Sequence, residues 1–280
     1  MKTNTSFIHE YDILDDFTDC VVESVGTLEE CTNEYNSLVR EYELKSFFEG
    51  SQKEAPVAVK KEGIFTRIGN TIINLIKGIG KILTAFIEKF TKKNKEIETD
   101  EVIVNRLCSQ HPEIRQQVIE GIEKDWFTYH NVAAYKNDIV GLCMMLKQKK
   151  IDNKTFREKC GEKFRSFIEK GRTLLVAGAT VAGIMTLIPR MRTAYKECKE
   201  TMNGVKKNLE KQQQSLNKHS KTSVKTEAVT DHIPDVEIIQ LIVSELSKVS
   251  AVIAKEMKAI TSGQNKISSV FKGVIAKYAK

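Results

Sequence analysis

The chain has 280 residues, enough to bury a sizeable core in one large domain or in two or three small ones. Its 41% hydrophobic and 29% charged residues exclude a wholly disordered protein, and its 4 prolines and 15 glycines leave room for long helices. The net charge of +7 is uneven: residues 1–55 carry 4 basic and 13 acidic residues, about −9, so the remainder carries about +16. The basic remainder could bind an acidic partner: the chain's own acidic N-terminal region (the acidic head), nucleic acid or an anionic membrane. Alternatively, the two groups of charges are solvated helix faces of opposite sign.

Residues 1–50 are predicted to form an acidic helical N-terminal region. Apolar side chains recur there at steps of three and four, as expected of amphipathic helices. Thr27 and Glu30 have the spacing of a capping box, which predicts that a second helix begins at this point. The pattern is lost over residues 51–62, which are predicted to be a linker.

Residues 63–95 are predicted to form a basic amphipathic helix. The segment 63–93 carries the clearest helical periodicity in the chain. Its apolar face is the candidate binding face for a partner or a membrane and comprises Phe65, Ile68, Ile72, Leu75, Ile79, Ile82 and Phe86. Its basic positions are Arg67, Lys77, Lys81 and Lys89. Three interpretations stay open: the face packs in the protein's own core, pairs with another helix or a second copy, or binds an anionic membrane.

Residues 96–216 are predicted to be a central helical bundle. Pro112 suits the first turn of one helix, and Asp152 or Asn153 suits the cap of another. An apolar helix is predicted over residues 172–188, where the run LLVAGATVAGIMTLI falls short of the roughly 20 residues that span a bilayer. Small residues four apart, such as Gly178 and Ala182, permit close helix packing. This helix is therefore either a buried hairpin helix or a membrane-inserting segment.

Residues 217–232 are predicted to be a second linker, and residues 233–280 to be C-terminal amphipathic helices with a break at Ser262 and Gly263. Together these elements predict an all-α fold: an elongated multi-helix bundle with long amphipathic helices, flexible linkers and no β-sheet.

The sequence predicts no catalytic, cofactor-binding or metal-binding residues. Gly178 and Gly183 have the gap of a phosphate-binding loop, but the following positions lack the required lysine and hydroxyl residue. Cys108 and His111 could face one ion from a single helix, but no second ligand pair follows. The 6 cysteines include no CxxC pair, which predicts reduced thiols, and the polar start of the chain lacks the apolar segment of a secretory signal.

The order of elements over residues 1–95 resembles internal or structural virion proteins of large tailed bacteriophages, especially those of low-GC Gram-positive hosts. An acidic helical region is followed by KKEG and then by IFTRIGNTIINLIKGIGKILTAFIEKFTKKN. The resemblance implies a protein packaged in the head with DNA or ejected into the host. It rests on style and order, so no functional residue is carried over from the family.

These observations predict a non-enzymatic structural or interaction protein without cofactor or small-molecule substrate. Its expected location is the virion, as an internal head or capsid-associated protein made in the host cytoplasm. The expected partners are other virion proteins or a second copy, with non-specific DNA and an anionic membrane as further candidates. One alternative is a membrane-perturbing or ejected protein that acts through residues 63–93 and 172–188. Another is a bacterial cytoplasmic helical scaffold.

Overall fold

A computed structural model describes residues 17–31, 33–38, 40, 55–120, 127–173, 179–222 and 233–279. Its helices are α1 (residues 17–31 and 33–38), α2 (Ala55–Gln110), α3 (Val132–Lys147), α4 (Asn153–Glu169), α5 (Val181–Met185), α6 (Leu187–Thr222) and α7 (Ile233–Tyr278). A short 3₁₀ helix spans Pro112–Gln116. The predicted all-α fold is confirmed.

A two-residue antiparallel pairing is the exception to the expectation of no β-sheet. The strands β1 (Thr128–Tyr129) and β2 (Arg172–Thr173) pair with Thr128 opposite Thr173. Nearby, an isolated bridge joins Val118 to Thr180. These pairings provide hydrogen-bond partners for backbone groups between the helices. Such short pairings leave no hydrophobic periodicity in the sequence, so the sequence does not predict them.

The second helix is longer than the predicted segment 63–95. It begins at Ala55 and ends at Gln110, so the predicted linker 51–62 is wrong from residue 55 onward, while 51–54 lie outside the described residues. Pro56 does not stop the helix because it occupies the first turn, where a proline removes no intrahelical hydrogen bond.

The apolar helix predicted over residues 172–188 is also wrong as a continuous element. Residues 172–173 are β2, residues 174–178 lie outside the described part of the chain, and helix resumes only at Val181. Thr180 has an extended backbone and accepts a hydrogen bond from the Gly183 N–H over 3.1 Å, so it caps α5. The next helix begins at Leu187 and accommodates Pro189 in its first turn.

Three local predictions have clear outcomes. Asp152 caps α4 by accepting a hydrogen bond from the Thr155 N–H over 2.7 Å, which confirms one of the two proposed caps. The capping box at Thr27 is wrong, because Thr27 lies within α1 and its hydroxyl donates back to the Glu23 carbonyl over 3.0 Å. Pro112 does open a helix, although the helix is 3₁₀.

The two predicted interruptions near the C-terminus differ from the structure. The linker 217–232 is helical up to Thr222, and residues 223–232 lie outside the described part of the chain. The break at Ser262 and Gly263 is absent, since α7 is continuous from Ile233 to Tyr278. Gly263 instead permits close packing, because a Cβ there would lie 2.7 Å from Met191 Cε and 3.0 Å from Phe127 Cδ2.

The chain forms two compact units. Unit 1 comprises Met1–Gly80, Lys136–Glu162 and Asn203–Ala251, and unit 2 comprises Lys81–Tyr135, Lys163–Met202 and Val252–Lys280. In unit 1, α1 runs antiparallel to the first half of α2. The ring of Phe17 lies 3.3 Å from the position of a Cβ on Gly78, and the rings of Tyr35 and Phe65 are 6.1 Å apart.

Aromatic stacking organises the core of unit 2. The rings of Phe90 and Tyr195 stack at 3.7 Å, and Phe86 lies 5.3 Å from the same tyrosine. On α4, Phe167 stacks on Tyr135 at 4.7 Å. Such ring pairs bury large apolar areas and fix the helices that carry them.

Candidate interaction surfaces

The seven apolar residues predicted as a binding face lie in the interior of the protein. Each is at most 7% exposed; Ile68, Ile72, Leu75 and Ile79 are at 0%. The face divides between the units, with Phe65 to Ile79 in unit 1 and with Ile82 and Phe86 in unit 2. The structure therefore matches the interpretation in which α2 packs in the protein's own core, and a partner or membrane could reach this face only after α2 is uncovered.

The predicted basic positions lie on the outer side of α2. Arg67, Lys77 and Lys81 are exposed, and Lys89 is half-buried. Arg67 contacts the acidic helix α1: its Nη1 donates to Glu34 Oε2 over 2.6 Å, and Nη2 lies 3.9 Å from Glu30 Oε2. The described part of the acidic region, α1, thus contacts the basic side of α2 within unit 1. Arg67 and Glu34 are about half exposed and Glu30 is 76% exposed, so each ion pair contributes roughly 0.2–1 kcal/mol at most.

Within the described part of the chain, one helical segment, Gly63–Gln110 of α2, is long and apolar enough to cross a membrane. The core helix of a protein can have the same length and apolar composition. The predicted site at 172–188 forms no such helix among its described residues.

A buried polar pair links His130, the residue after β1, to Glu256 of α7 in unit 2. The imidazole of His130 lies 2.8 Å from Glu256 Oε1, and the backbone N–H of His130 donates to Glu256 Oε2 over 3.1 Å. The two side chains are 19% and 10% exposed. Phe167 covers the imidazole, with ring centres 5.0 Å apart.

Two further protonatable groups lie beside this pair. Burial raises the pKa of the Tyr129 hydroxyl far above its ordinary range, and the Glu197 carboxylate adds to the effect. Burial also raises the pKa of the Cys198 thiol, with Glu256 and Glu197 contributing. Both groups are therefore protonated at neutral pH, and neither is poised as an anionic nucleophile. Glu197 is also within 3.4 Å of the Ala133 N–H at the start of α3.

Among the described residues, no group of three or more His, Cys, Asp or Glu side chains is placed to hold a metal ion. Cys108 is buried, and burial raises the pKa of its thiol, while His111 lies 3.4 Å from Glu113 and against the Tyr278 ring.

The sequence does not predict the contact between His130 and Glu256. The two residues are 126 positions apart, so no local spacing connects them. The one available signal was Glu256 itself, a carboxylate beside the apolar seam formed by Ile253, Met257 and Ile260. A carboxylate in such a position requires a buried partner.

The chain was compared with models of known protein families, with curated proteins and with solved structures, and no match was found.

Proposed function

We propose that this chain is a non-enzymatic helical protein that acts by binding partners. The observation that carries the proposal is that one cluster of protonatable side chains in unit 2 makes its contacts inside the protein. The carboxylate of Glu256 holds both the imidazole and the backbone N–H of His130, and the neighbouring Tyr129 and Cys198 are kept protonated by burial. The surface available to other molecules is then the charged outer side of the helices.

We place this protein in the virion of a tailed bacteriophage, as an internal head or capsid-associated component made in the host cytoplasm. The resemblance of residues 1–95 to virion proteins supports this location. The partners would be other virion proteins or a second copy of the chain. The test is mass spectrometry of gradient-purified particles beside the infected-cell lysate. Enrichment of its peptides in the particles is the expected result, whereas peptides found only in the lysate would favour the cytoplasmic scaffold.

A membrane-perturbing activity is the second candidate, and the apolar segment Gly63–Gln110 favours it. Insertion would require α2 to leave its core. For each buried Ile, Leu or Phe, the fold would then lose roughly 1.5–3 kcal/mol of burial free energy, unless the side chain becomes buried in the bilayer. Release of a trapped dye from anionic vesicles, with neutral vesicles as the control, tests this activity. Intact vesicles at every protein concentration would remove it.

A further inference from the structure

The positive charge of the protein belongs to one of its two units. Unit 2 contains 22 Lys and Arg against 13 Asp and Glu, a net charge of +9. Unit 1 contains 22 basic and 24 acidic residues, a net charge of −2. The acidic head therefore balances its own unit and leaves unit 2 strongly basic. A field of this sign attracts polyanions.

The α7 portion of unit 2 concentrates this charge on its solvent side. Residues 252–280 contain 6 lysines and one acidic residue, Glu256. That carboxylate is buried and holds His130, so it does not offset the lysines at the surface. Every exposed residue from Lys255 to Lys277 is Lys, Ser, Gly or Ala.

Three of these lysines share a single line along the helix. Lys255, Lys266 and Lys277 are 11 residues apart, which in an α-helix is three turns plus about 20° and a rise of about 16 Å. The residues exposed between them on the same side are small: Ser262, Ser269 and Gly273. We call these six positions the lysine stripe. It is about 33 Å long, close to one turn of B-DNA at about 34 Å.

Lys277, at the C-terminal end of the stripe, keeps its positive charge beside an aromatic ring. The Lys277 ammonium lies 5.1 Å from the centre of its neighbouring Tyr278 ring, an interaction that keeps the positive charge. Lys272 lies off the stripe: it adds to the lowering of the pKa of the Glu96 carboxyl on α2, which is caused mainly by the hydrogen bond from Lys93. The stripe itself contains no acidic residue.

We propose that the lysine stripe of α7 binds the phosphate backbone of double-helical DNA. An anionic membrane is a poorer fit because the stripe presents no large apolar side chain to enter the bilayer. Single-stranded nucleic acid is a poorer fit because no stripe position is aromatic, so bases have no stacking surface. Small residues between evenly spaced lysines allow close approach to a rigid polyanion, and contacts to phosphate alone read no sequence.

The experiment measures binding of the full-length chain to a fluorescein-labelled DNA duplex of random sequence by fluorescence anisotropy. The test variant is the triple substitution Lys255→Gln, Lys266→Gln and Lys277→Gln. We expect it to weaken binding at least about tenfold at low salt. Between about 50 and 200 mM salt, the slope of log K against log salt should become shallower by about 2.7, because each phosphate contact contributes about 0.9.

A charge-matched control uses three exposed lysines of unit 1: Lys150→Gln, Lys154→Gln and Lys207→Gln. It should retain affinity within about twofold of the parent chain. Equal losses in both triples would overturn the proposal, because net charge alone would then explain binding. Absence of DNA binding by the parent chain at low salt would overturn it as well. So would a stripe-dependent affinity for anionic vesicles that exceeds the affinity for the duplex. Circular dichroism of all variants establishes that they are folded.

This inference names a partner for the binding role and so rests on the proposed function. The two fail separately. If the chain is present in purified particles but does not bind the duplex, the inference fails while the virion proposal stands.

Discussion

Glu256 receives two hydrogen-bonding groups from one residue: the backbone N–H of His130 reaches Oε2 over 3.1 Å, and the His130 Nδ1 lies 2.8 Å from Oε1. Both side chains are largely buried. The contact ties the start of α3, beside β1, to the middle of α7 within unit 2. It connects residues that are 126 positions apart, so we expect its loss to lower the free energy of unfolding of the unit.

We predict that Glu256→Ala lowers the free energy of unfolding by about 1–3 kcal/mol, because it leaves a buried backbone N–H and an imidazole without their acceptor. Glu256→Gln should lose less, since its amide oxygen still accepts from the His130 N–H. Urea unfolding followed by circular dichroism measures both. Glu169→Ala, on the exposed end of α4, is the control and should change stability by no more than about 0.5 kcal/mol. Equal effects of Glu256→Ala and the control would contradict a structural role for the pair.

Two glycines on α7 provide a matched test of packing. A Cβ on Gly263 would lie 2.7 Å from Met191 Cε and 3.0 Å from Phe127 Cδ2, whereas a Cβ on Gly273 would meet nothing within 4 Å. Gly273→Ala should stabilise the protein by about 0.5–1 kcal/mol through helix propensity. Gly263→Ala gains the same propensity but should be net destabilising by about 0.5–2 kcal/mol, because the Phe127 ring must shift. Thermal unfolding of the two variants compares them. A stabilised Gly263→Ala would show that Met191 and Phe127 yield without cost.

The difference between these glycines illustrates what the sequence could and could not predict. The three- and four-residue steps of α2 correctly indicated that Phe65 to Phe86 share one face, because helical period alone determines which residues share a face. The same pattern could not say that α1 covers part of that face, since helix pairing is a tertiary property. Gly263 was interpreted as a helix break because glycine costs about 1 kcal/mol in a helix, yet packing outweighs that cost.

The lysine stripe could not be predicted from the sequence either, because it requires α7 to continue through Ser262 and Gly263. With a break at Ser262 and Gly263, Lys255 and Lys266 would belong to separate helices with no common face. The continuity of α7 places them on one line. A count of charged residues also includes Glu256 among the surface charges. The structure shows that this carboxylate is buried in contact with His130.

A buried thiol in unit 1 makes stability depend on alkaline pH. Burial, with a contribution from Glu245, raises the pKa of Cys143 from its ordinary value of about 9 to about 12. Between these values the unfolded thiol is ionised while the folded one keeps its proton, so the folded state binds more protons and stability falls as pH rises. The fall is about 1.4 kcal/mol per pH unit for this group.

We therefore predict that raising the pH from about 8 to about 10.5 lowers the free energy of unfolding of the parent chain by about 2 kcal/mol more than that of Cys143→Ala. Comparison with this variant cancels the other groups that titrate in the same window. The measurement is urea unfolding at both pH values in the presence of a reducing agent. Parallel pH dependences in the two proteins would show that Cys143 ionises equally in the folded and unfolded states.

The last prediction concerns Leu75, which is completely buried on α2 in unit 1. Leu75→Asp places a carboxylate among apolar side chains, and the buried charge has no partner, so the free energy of unfolding should fall by several kcal/mol. The adjacent Asn74 is exposed on the same helix, and Asn74→Asp introduces the same side chain where water solvates it. That control should stay within about 0.5 kcal/mol of the parent chain. Thermal unfolding compares the stability of the two variants. Light scattering of the same samples measures their oligomeric state. If Leu75→Asp melts like Asn74→Asp, α2 is not the core helix of unit 1, and its apolar face is covered by something other than the chain's own helices.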